Sequence, residues 1–380
     1  MDTDLRFMSR ALQLARRGLG YTAPNPAVGA LLVKDGRVIG EGYHHRAGEA
    51  HAEVAAIESA TEAVRGATLY CTLEPCCHEG PAKRTPPCTR RIIAEGIARV
   101  VVASLDPNPE VDGRGLQALR NAGVAVSLGP LTAEASRLNE AFAAAVRLKR
   151  PFVHLKAAQT LDGYLAASSG DSRWITDSAA RAEAHRLRAI SDAVLVGAGT
   201  VRHDNPALTV RHVRGRQPLR VVLCGRRALP EDAQLFTDQF AASTIVYRPT
   251  GAEVEVDLGD LLSDLRQRGV TSLLVEGGSR VLSSFLVRGL WDKFSLFFGP
   301  RILGGGISTV CGLGIDSIDG ALELKELSVE PVGNGFVVRG YRDPEALFGT
   351  SVEARSEGAY QCSDYGRPNG VEVDCVYGNR

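Results

Sequence analysis

Whatever fold this chain adopts has to bring three separated motifs together: His51-Ala52-Glu53, Pro75-Cys76 and Pro87-Cys88. The first opens a predicted helix, the second ends a predicted strand, and the third opens another helix. One imidazole and two thiolates suit a tetrahedral zinc ion, and three protein ligands leave the fourth position to water. Glu53 lies two residues along the same helical turn as His51, close enough to reach such a water without binding the metal. Cys88, at a helix N-terminus, has the positive end of the dipole to favour its thiolate.

Three ligands with an unligated Glu beside them form the pattern used for zinc-dependent hydrolytic deamination, in which the Glu carries protons. The general signature spaces its cysteines as C-x-x-C, whereas eleven residues separate Cys76 from Cys88 here. Cys77 could replace Cys76, although Pro75-Cys76 fits the signature better. The bland reading is three buried cysteines and an incidental histidine. Cys71, inside a predicted strand, reads as core packing.

Composition narrows the partners. Lys plus Arg equals Asp plus Glu, 44 each, without the basic excess of a dedicated nucleic-acid binder, so a small-molecule substrate is expected. No apolar run is long enough to span a membrane, and Asp2 and Asp4 are followed by no secretory h-region. Eight cysteines in 380 residues are too dilute for a disulfide scaffold. A cytoplasmic protein with reduced thiols is expected. The residues do not decide between a monomer and a homo-oligomer.

The length suggests two or three domains. Leu5, Met8, Leu12 and Ala15 trace an amphipathic first helix, and Asp35-Gly36 joins two strands as a hairpin. Helices are then predicted from about residue 51 to 60, after Cys88, near Leu116 and from 132 to about 148, with strands at 68–73, 99–104 and 124–128. This alternation argues for a layered α/β unit over residues 1–146, ending before Pro151. Beyond it, strands are expected at 152–158, 193–196, 219–223, 244–247 and 272–275, with a hairpin over 327–341 turning at Gly333-Asn334-Gly335. Residues 343–380, polar and weakly periodic, read as a mobile tail.

Several motifs carry a resemblance. Thr72-Leu73-Glu74-Pro75-Cys76, Arg84-Thr85-Pro86-Pro87-Cys88, Pro24-Asn25-Pro26-Ala27-Val28-Gly29 and Asp106-Pro107-Asn108-Pro109 resemble the bifunctional riboflavin-biosynthesis deaminase/reductase family. So do Thr160-Leu161-Asp162-Gly163, Trp174-Ile175-Thr176, Asp204-Asn205-Pro206-Ala207-Leu208-Thr209 and Val275-Glu276-Gly277-Gly278. The likeness implies a three-layer cytidine-deaminase-like domain followed, over 151–342, by a dihydrofolate-reductase-like domain with a mostly parallel sheet. It implies two steps: a diaminopyrimidinone ribosylamino phosphate loses its ring amino group, and NADPH then reduces the ribose to ribityl. It places Asn25, His44, His78, Lys83, Asp106 and Asn108 in the deaminase pocket. Relatives commonly have a shorter loop between the two zinc cysteines, so contacts from this loop carry over less directly.

In the second half, Val196-Gly197-Ala198-Gly199-Thr200 lacks the third glycine of a dinucleotide fingerprint. Glu276-Gly277-Gly278-Ser279, between a buried strand and a helix, offers backbone N–H groups to a phosphate. The alternative there is a plain tight turn. The resemblance assigns Ala158, Trp174, Thr200, Asp204 and the run Gly278, Ser279, Arg280, Val281, Leu282, Ser283 and Ser284 to NADPH. It assigns Lys156, Ser172, Arg188, Leu208, Arg211 and Glu276 to substrate, with Arg188 and Arg211 suited to the ribose phosphate. Asp204 is the expected proton donor for the opening ring oxygen, with Lys156 or Glu276 as fallback. Two other readings compete: a nucleic-acid or nucleoside deaminase with an accessory domain, and a non-catalytic zinc scaffold. The neutral charge opposes the first and Glu53 the second, because structural zinc sites are closed by four protein ligands.

Overall fold

The structure is a computed structural model that describes residues 3–78, 86–109, 111–251 and 255–349. Lys83 and the segment 350–380 therefore lie outside the described residues.

The first sheet takes β1 (Gly29–Lys34), β2 (Arg37–Tyr43), β3 (Thr68–Cys71), β4 (Arg99–Val102) and β5 (Ala125–Leu128), in the order β2-β1-β3-β4-β5. β1 pairs antiparallel with β2 and β3, while β3, β4 and β5 run parallel. Near-continuous apolar runs in β1, β3 and β4 bury both faces of these strands, with successive side chains pointing to opposite cores. Ala30, Leu32, Leu69, Cys71, Val100 and Val102 face one core with helices Ala52–Glu58, Cys88–Ala94 and Arg114–Asn121. Leu31, Val33, Tyr70 and Val101 face the other, where helix Thr3–Ala15 contributes Phe7, Met8, Ala11 and Leu12. The result is the expected three-layer unit, with Cys71 in the core.

Glycine sets how closely the site helix approaches. A Cβ on Gly42 would lie 2.4 Å from both the Ala52 carbonyl oxygen and the Ala56 nitrogen, and one on Gly40 would lie 2.3 Å from the Ala56 carbonyl. Only bare backbone on β2 lets Ala52–Glu58 sit this low, which fixes the height of His51 and Glu53 above the sheet.

The remaining strands are β6 (Phe152–Gln159), β7 (Tyr164–Ala166), β8 (Ala193–Gly197), β9 (Leu219–Leu223), β10 (Thr244–Tyr247), β11 (Ser272–Val275), β12 (Lys293–Phe298), β13 (Ile307–Ser308), β14 (Lys325–Val332) and β15 (Gly335–Tyr341). Eight of them form a second sheet, ordered β10-β9-β8-β11-β6-β12-β15-β14, and β7 pairs with β13 apart from it. From β10 to β12 every pairing is parallel, and β12-β15-β14 is antiparallel, so the sheet is mostly parallel as expected. β12 is not among the strands the alternation predicts. Helices Leu258–Gln267 and Ser279–Val287 cover one face through Leu261, Leu265, Leu282 and Phe285. Helices Ser178–Ile190 and Ala198–Asp204 cover the other through Leu187 and Val201.

Two expectations are corrected. The helix read over 132–148 is broken into Thr132–Leu138 and Glu140–Arg147 by Asn139. The Asn139 side chain accepts from the Ala27 N–H at 2.8 Å and donates to the Ala27 carbonyl at 3.0 Å, which ties the break to the loop carrying Asn25. The tail does not begin at 343 either. Pro344–Phe348 is helical, and Leu347, 1% exposed, packs with Ala144, Phe152 and Tyr341. Helix Glu140–Arg147 thus packs against the second sheet, and Glu140 receives the Lys293 ammonium at 3.0 Å and the Tyr341 hydroxyl at 2.6 Å.

Candidate functional sites

The three separated motifs do meet. His51 caps helix Ala52–Glu58, Cys76 follows β3, and Cys88 is the first residue of its helix. Their ligand atoms all lie within 4.8 Å of one another. His51 Nδ1 is 3.5 Å from Cys76 Sγ and 3.3 Å from Cys88 Sγ, and the Cys88 backbone N–H points at Cys76 Sγ from 3.3 Å. One nitrogen and two sulfurs at this spacing fit a tetrahedral zinc ion with one position left over. Among the described residues this is the one such cluster, and Cys77 is outside it.

Without metal, the hydrogen bond with Cys76 and then burial push the Cys88 thiol well above its ordinary value. Zinc binding to such a cysteine releases its proton, because the metal ligand is the thiolate. Glu53 is 4% exposed, and burial, helped by the Cys76 sulfur, pushes its carboxyl up to about 6. A carboxyl poised there can both take and return a proton near neutral pH.

The pocket residues form a chain of contacts. His44 is buried with Nδ1 3.0 Å from the Ala50 carbonyl, so that nitrogen carries the proton. Nε2 then accepts from Asn25 Nδ2 at 3.1 Å, which turns the Asn25 carbonyl oxygen away from His44. Burial keeps His44 neutral by lowering its pKa. Asp106 accepts from the Asn108 N–H at 2.8 Å, and burial raises its carboxyl to about 7.

Sequence reasoning missed Glu74. Its carboxylate, 3% exposed, accepts four backbone N–H groups: Gly113 at 2.8 Å, Gly115 at 2.8 Å, Leu116 at 3.2 Å and Asp106 at 3.3 Å. It thereby ties the end of the ligand strand to the loop bearing Asp106 and Asn108. A Cβ on Gly115 would lie 2.3 Å from the Pro75 carbonyl, so the approach is backbone to backbone. The available signal was an acidic residue inside an apolar strand end.

The second site is a cavity of about 1070 Å³ across the parallel sheet. Ala158, Trp174, Thr200, Asp204, Gly278, Ser279, Arg280, Val281 and Ser284 line it, as do Lys156, Ser172, Arg188, Arg211 and Glu276. Three assigned residues do not: Leu282 is fully buried against Phe285, Leu208 is buried beneath the sheet, and the Ser283 hydroxyl accepts from the Cys311 N–H at 2.9 Å. Their side chains are held by the core. Gly277, at φ 98°, makes the turn, and the Gly278 N–H donates to Thr200 Oγ1 at 3.1 Å. Arg202, His203, Arg280 and Arg288 join the first turn of helix Ser279–Val287 on the cavity wall. That volume and donor set fit a dinucleotide with its phosphates.

Arg188 is not the open phosphate fork its sequence context suggested. Its Nε and Nη2 donate to the two Glu276 oxygens at 2.5 and 2.8 Å, and Nη1 donates to the Thr209 carbonyl at 3.1 Å. Burial alone would raise the Glu276 carboxyl, but Arg188 and Lys156 outweigh it and hold it at about 2. Asp204 moves the other way: burial raises it against Arg173 and His203. Helix Ser178–Ile190, capped by Asp177 through the Ala180 N–H at 3.0 Å, sends Arg181, His185 and Arg188 into the cavity. Their spacing of four and three residues was the helical signal sequence reading passed over.

Fold and sites together define a zinc-type deaminase joined to a nucleotide-dependent reductase. Residues 1–104 match the cytidine and deoxycytidylate deaminase zinc-binding region, and residues 151–338 match the RibD C-terminal domain. Riboflavin biosynthesis protein RibD of Aquifex aeolicus is 44% identical over 352 residues, covering 89% of this chain and 98% of that one. The Escherichia coli RibD is 39% identical over 358 residues, covering 87% and 97%. The solved diaminohydroxyphosphoribosylaminopyrimidine deaminase/5-amino-6-(5-phosphoribosylamino)uracil reductase of Thermotoga maritima superposes with a TM-score of 0.79 at 42% identity, covering 90% and 99%. Acinetobacter baumannii RibD gives 0.78 at 38%, covering 89% and 98%. The chain belongs to the RibD family of riboflavin biosynthesis proteins. It is a bifunctional deaminase and reductase that uses zinc and NADPH, and the nucleic-acid alternative is not favoured. No helix of the described residues is long and apolar enough to cross a membrane.

Proposed function

We propose that residues 1–146 deaminate a diaminopyrimidinone ribosylamino phosphate and that residues 151–342 reduce its ribose to ribityl, each site working on small molecules in the cytoplasm. The observation that carries the first half is Glu53, buried beside three convergent ligands yet not one of them. His51, Cys76 and Cys88 would hold zinc, which supplies Lewis-acid activation of water for attack at the amino-bearing carbon. Glu53 takes the proton of the attacking water and returns it to the departing amine. Asn25, oriented by His44, offers its carbonyl to a ring N–H, while Asp106 and Asn108 meet the opposite edge.

In the reductase site, NADPH supplies the hydride. The proton for the opening ring oxygen comes from Asp204, a cavity residue whose carboxyl is raised by burial. Glu276 is the weaker fallback, because Arg188 keeps it ionised. Lys156 remains second, its ammonium pKa lowered by burial despite Glu276.

Separate assays test this assignment. Glu53→Gln should lose about two to four orders of magnitude in ammonia release, keep its zinc, and oxidise NADPH normally when given the preformed aminouracil intermediate. Asp204→Asn should show the reverse. A folded Glu53→Gln that also fails to reduce the intermediate would mean the sites are not independent. Intact reduction in Asp204→Asn would pass the acid role to Lys156.

A further inference from the structure

Among the cavity residues that no role above absorbs, His185 has the most constrained chemistry. It sits one turn before Arg188 on helix Ser178–Ile190, is 6% exposed, and lines the cavity beside Arg211 and His212. Its Nδ1 accepts the Arg211 backbone N–H at 3.1 Å, and the His212 ring meets it edge-on with centroids 4.5 Å apart. An imidazole whose Nδ1 accepts must carry its proton on Nε2 when neutral, so Nε2–H is the ring's one donor. Burial, then the charges of Arg188, His212 and Arg211, lower its pKa to about 4, which leaves the ring neutral at working pH.

The neighbouring cations sharpen the assignment. All three outward groups of the Arg188 guanidinium are engaged with Glu276 and Thr209. Arg211 spends Nη1 on the Thr209 hydroxyl at 2.8 Å, and its main chain is fixed by His185. An anionic substrate group at this end of the cavity therefore meets Arg211 as charge and His185 as a fixed neutral donor.

Resting on the reductase reading above, we propose that His185 is a further substrate-binding residue, donating from Nε2 to an oxygen of the phosphoribosyl end held beside Arg211. It acts in binding and not in hydride transfer, so its loss moves KM and leaves kcat in place.

The test uses the full-length protein, the preformed aminouracil intermediate and NADPH. His185→Leu should raise KM for the intermediate about ten- to a hundredfold, the range for a hydrogen bond to a charged acceptor. The kcat, the Kd for NADPH and ammonia release at the first site should stay within about threefold. The inhibition constant for ribose 5-phosphate, used as a probe of the phosphoribosyl end, should rise by the same factor as KM. His185→Gln, which keeps an acceptor and a donor, should restore most of the affinity. Should His185→Leu fold poorly, His185→Asn, polar but too short to reach, is expected to show the same KM rise. Unchanged KM in these variants overturns the proposal, as does a KM rise without a change for ribose 5-phosphate. Parallel loss of NADPH affinity and kcat, unrescued by Gln, would assign His185 a purely structural role. If the wild-type protein itself fails to oxidise NADPH with the intermediate, the reductase reading falls first; if only the variants behave as wild type, His185 alone does.

Discussion

Replacing Glu276 by Gln should expose how much of the second domain's stability rests on one buried ion pair. Arg188 and Glu276 meet through two hydrogen bonds at 2.5 and 2.8 Å, with side-chain exposures of only 13% and 9%. Leaving Arg188 buried without its counter-charge should cost about 3–5 kcal/mol at pH 7. The depression of the Glu276 carboxyl from 4.5 to about 2 gives an independent figure of about 3 kcal/mol, at roughly 1.4 kcal/mol per tenfold. Because the folded-state pKa lies below the unfolded one, this stabilisation is complete above about 4.5 and drains away as pH falls towards 2. The gap between wild type and Glu276→Gln, measured by urea unfolding at a series of pH values, should therefore be widest near neutrality and close through that window. A gap under about 1 kcal/mol at pH 7, or one that widens on acidification, would refute the argument and mean that solvent reaches the pair.

Other perturbations test other links. Cys76→Ser and Cys88→Ser should lose zinc on dialysis and Cys77→Ser should retain it, read by metal analysis; the reverse pattern for Cys76 and Cys77 would overturn the ligand set. Glu74→Gln turns two of four accepted N–H bonds into donor–donor clashes, so it should destabilise the first domain by about 3 kcal/mol and lower deamination without affecting reduction. Gly42→Ala, with no room beneath helix Ala52–Glu58, should reduce zinc occupancy and melting temperature together, and normal values for both would show that the helix can ride up freely. Leu347→Ala should cost about 2–4 kcal/mol, and truncation after Arg342 should lower the melting temperature by several degrees.

The zinc constellation was legible in the sequence because its chemistry is local: Pro-Cys at a strand end, Pro-Cys at a helix start, and a Glu two residues after a His. The strands were legible for the same reason, since the short apolar runs of β1, β3 and β4, buried on both faces, are written residue by residue. β12 was legible as an aromatic-rich run closed by Gly299-Pro300 and was passed over, but its place between β6 and β15 comes from pairing partners more than 30 residues away. Asn139 broke a helix that its neighbours would have continued, because Ala27, far away in the chain, offers its backbone to the Asn side chain. Leu347 looked like tail until a pocket formed from Ala144, Phe152 and Tyr341 gave it somewhere to go. Tertiary structure also decided the chemistry of the charged residues. Arg188 is by type a phosphate fork and Glu276 by type a possible acid, but each cancels the other's expected role once they are buried face to face. Residue type sets what a group can do; burial and partners, which only the folded chain supplies, set which of those things it does.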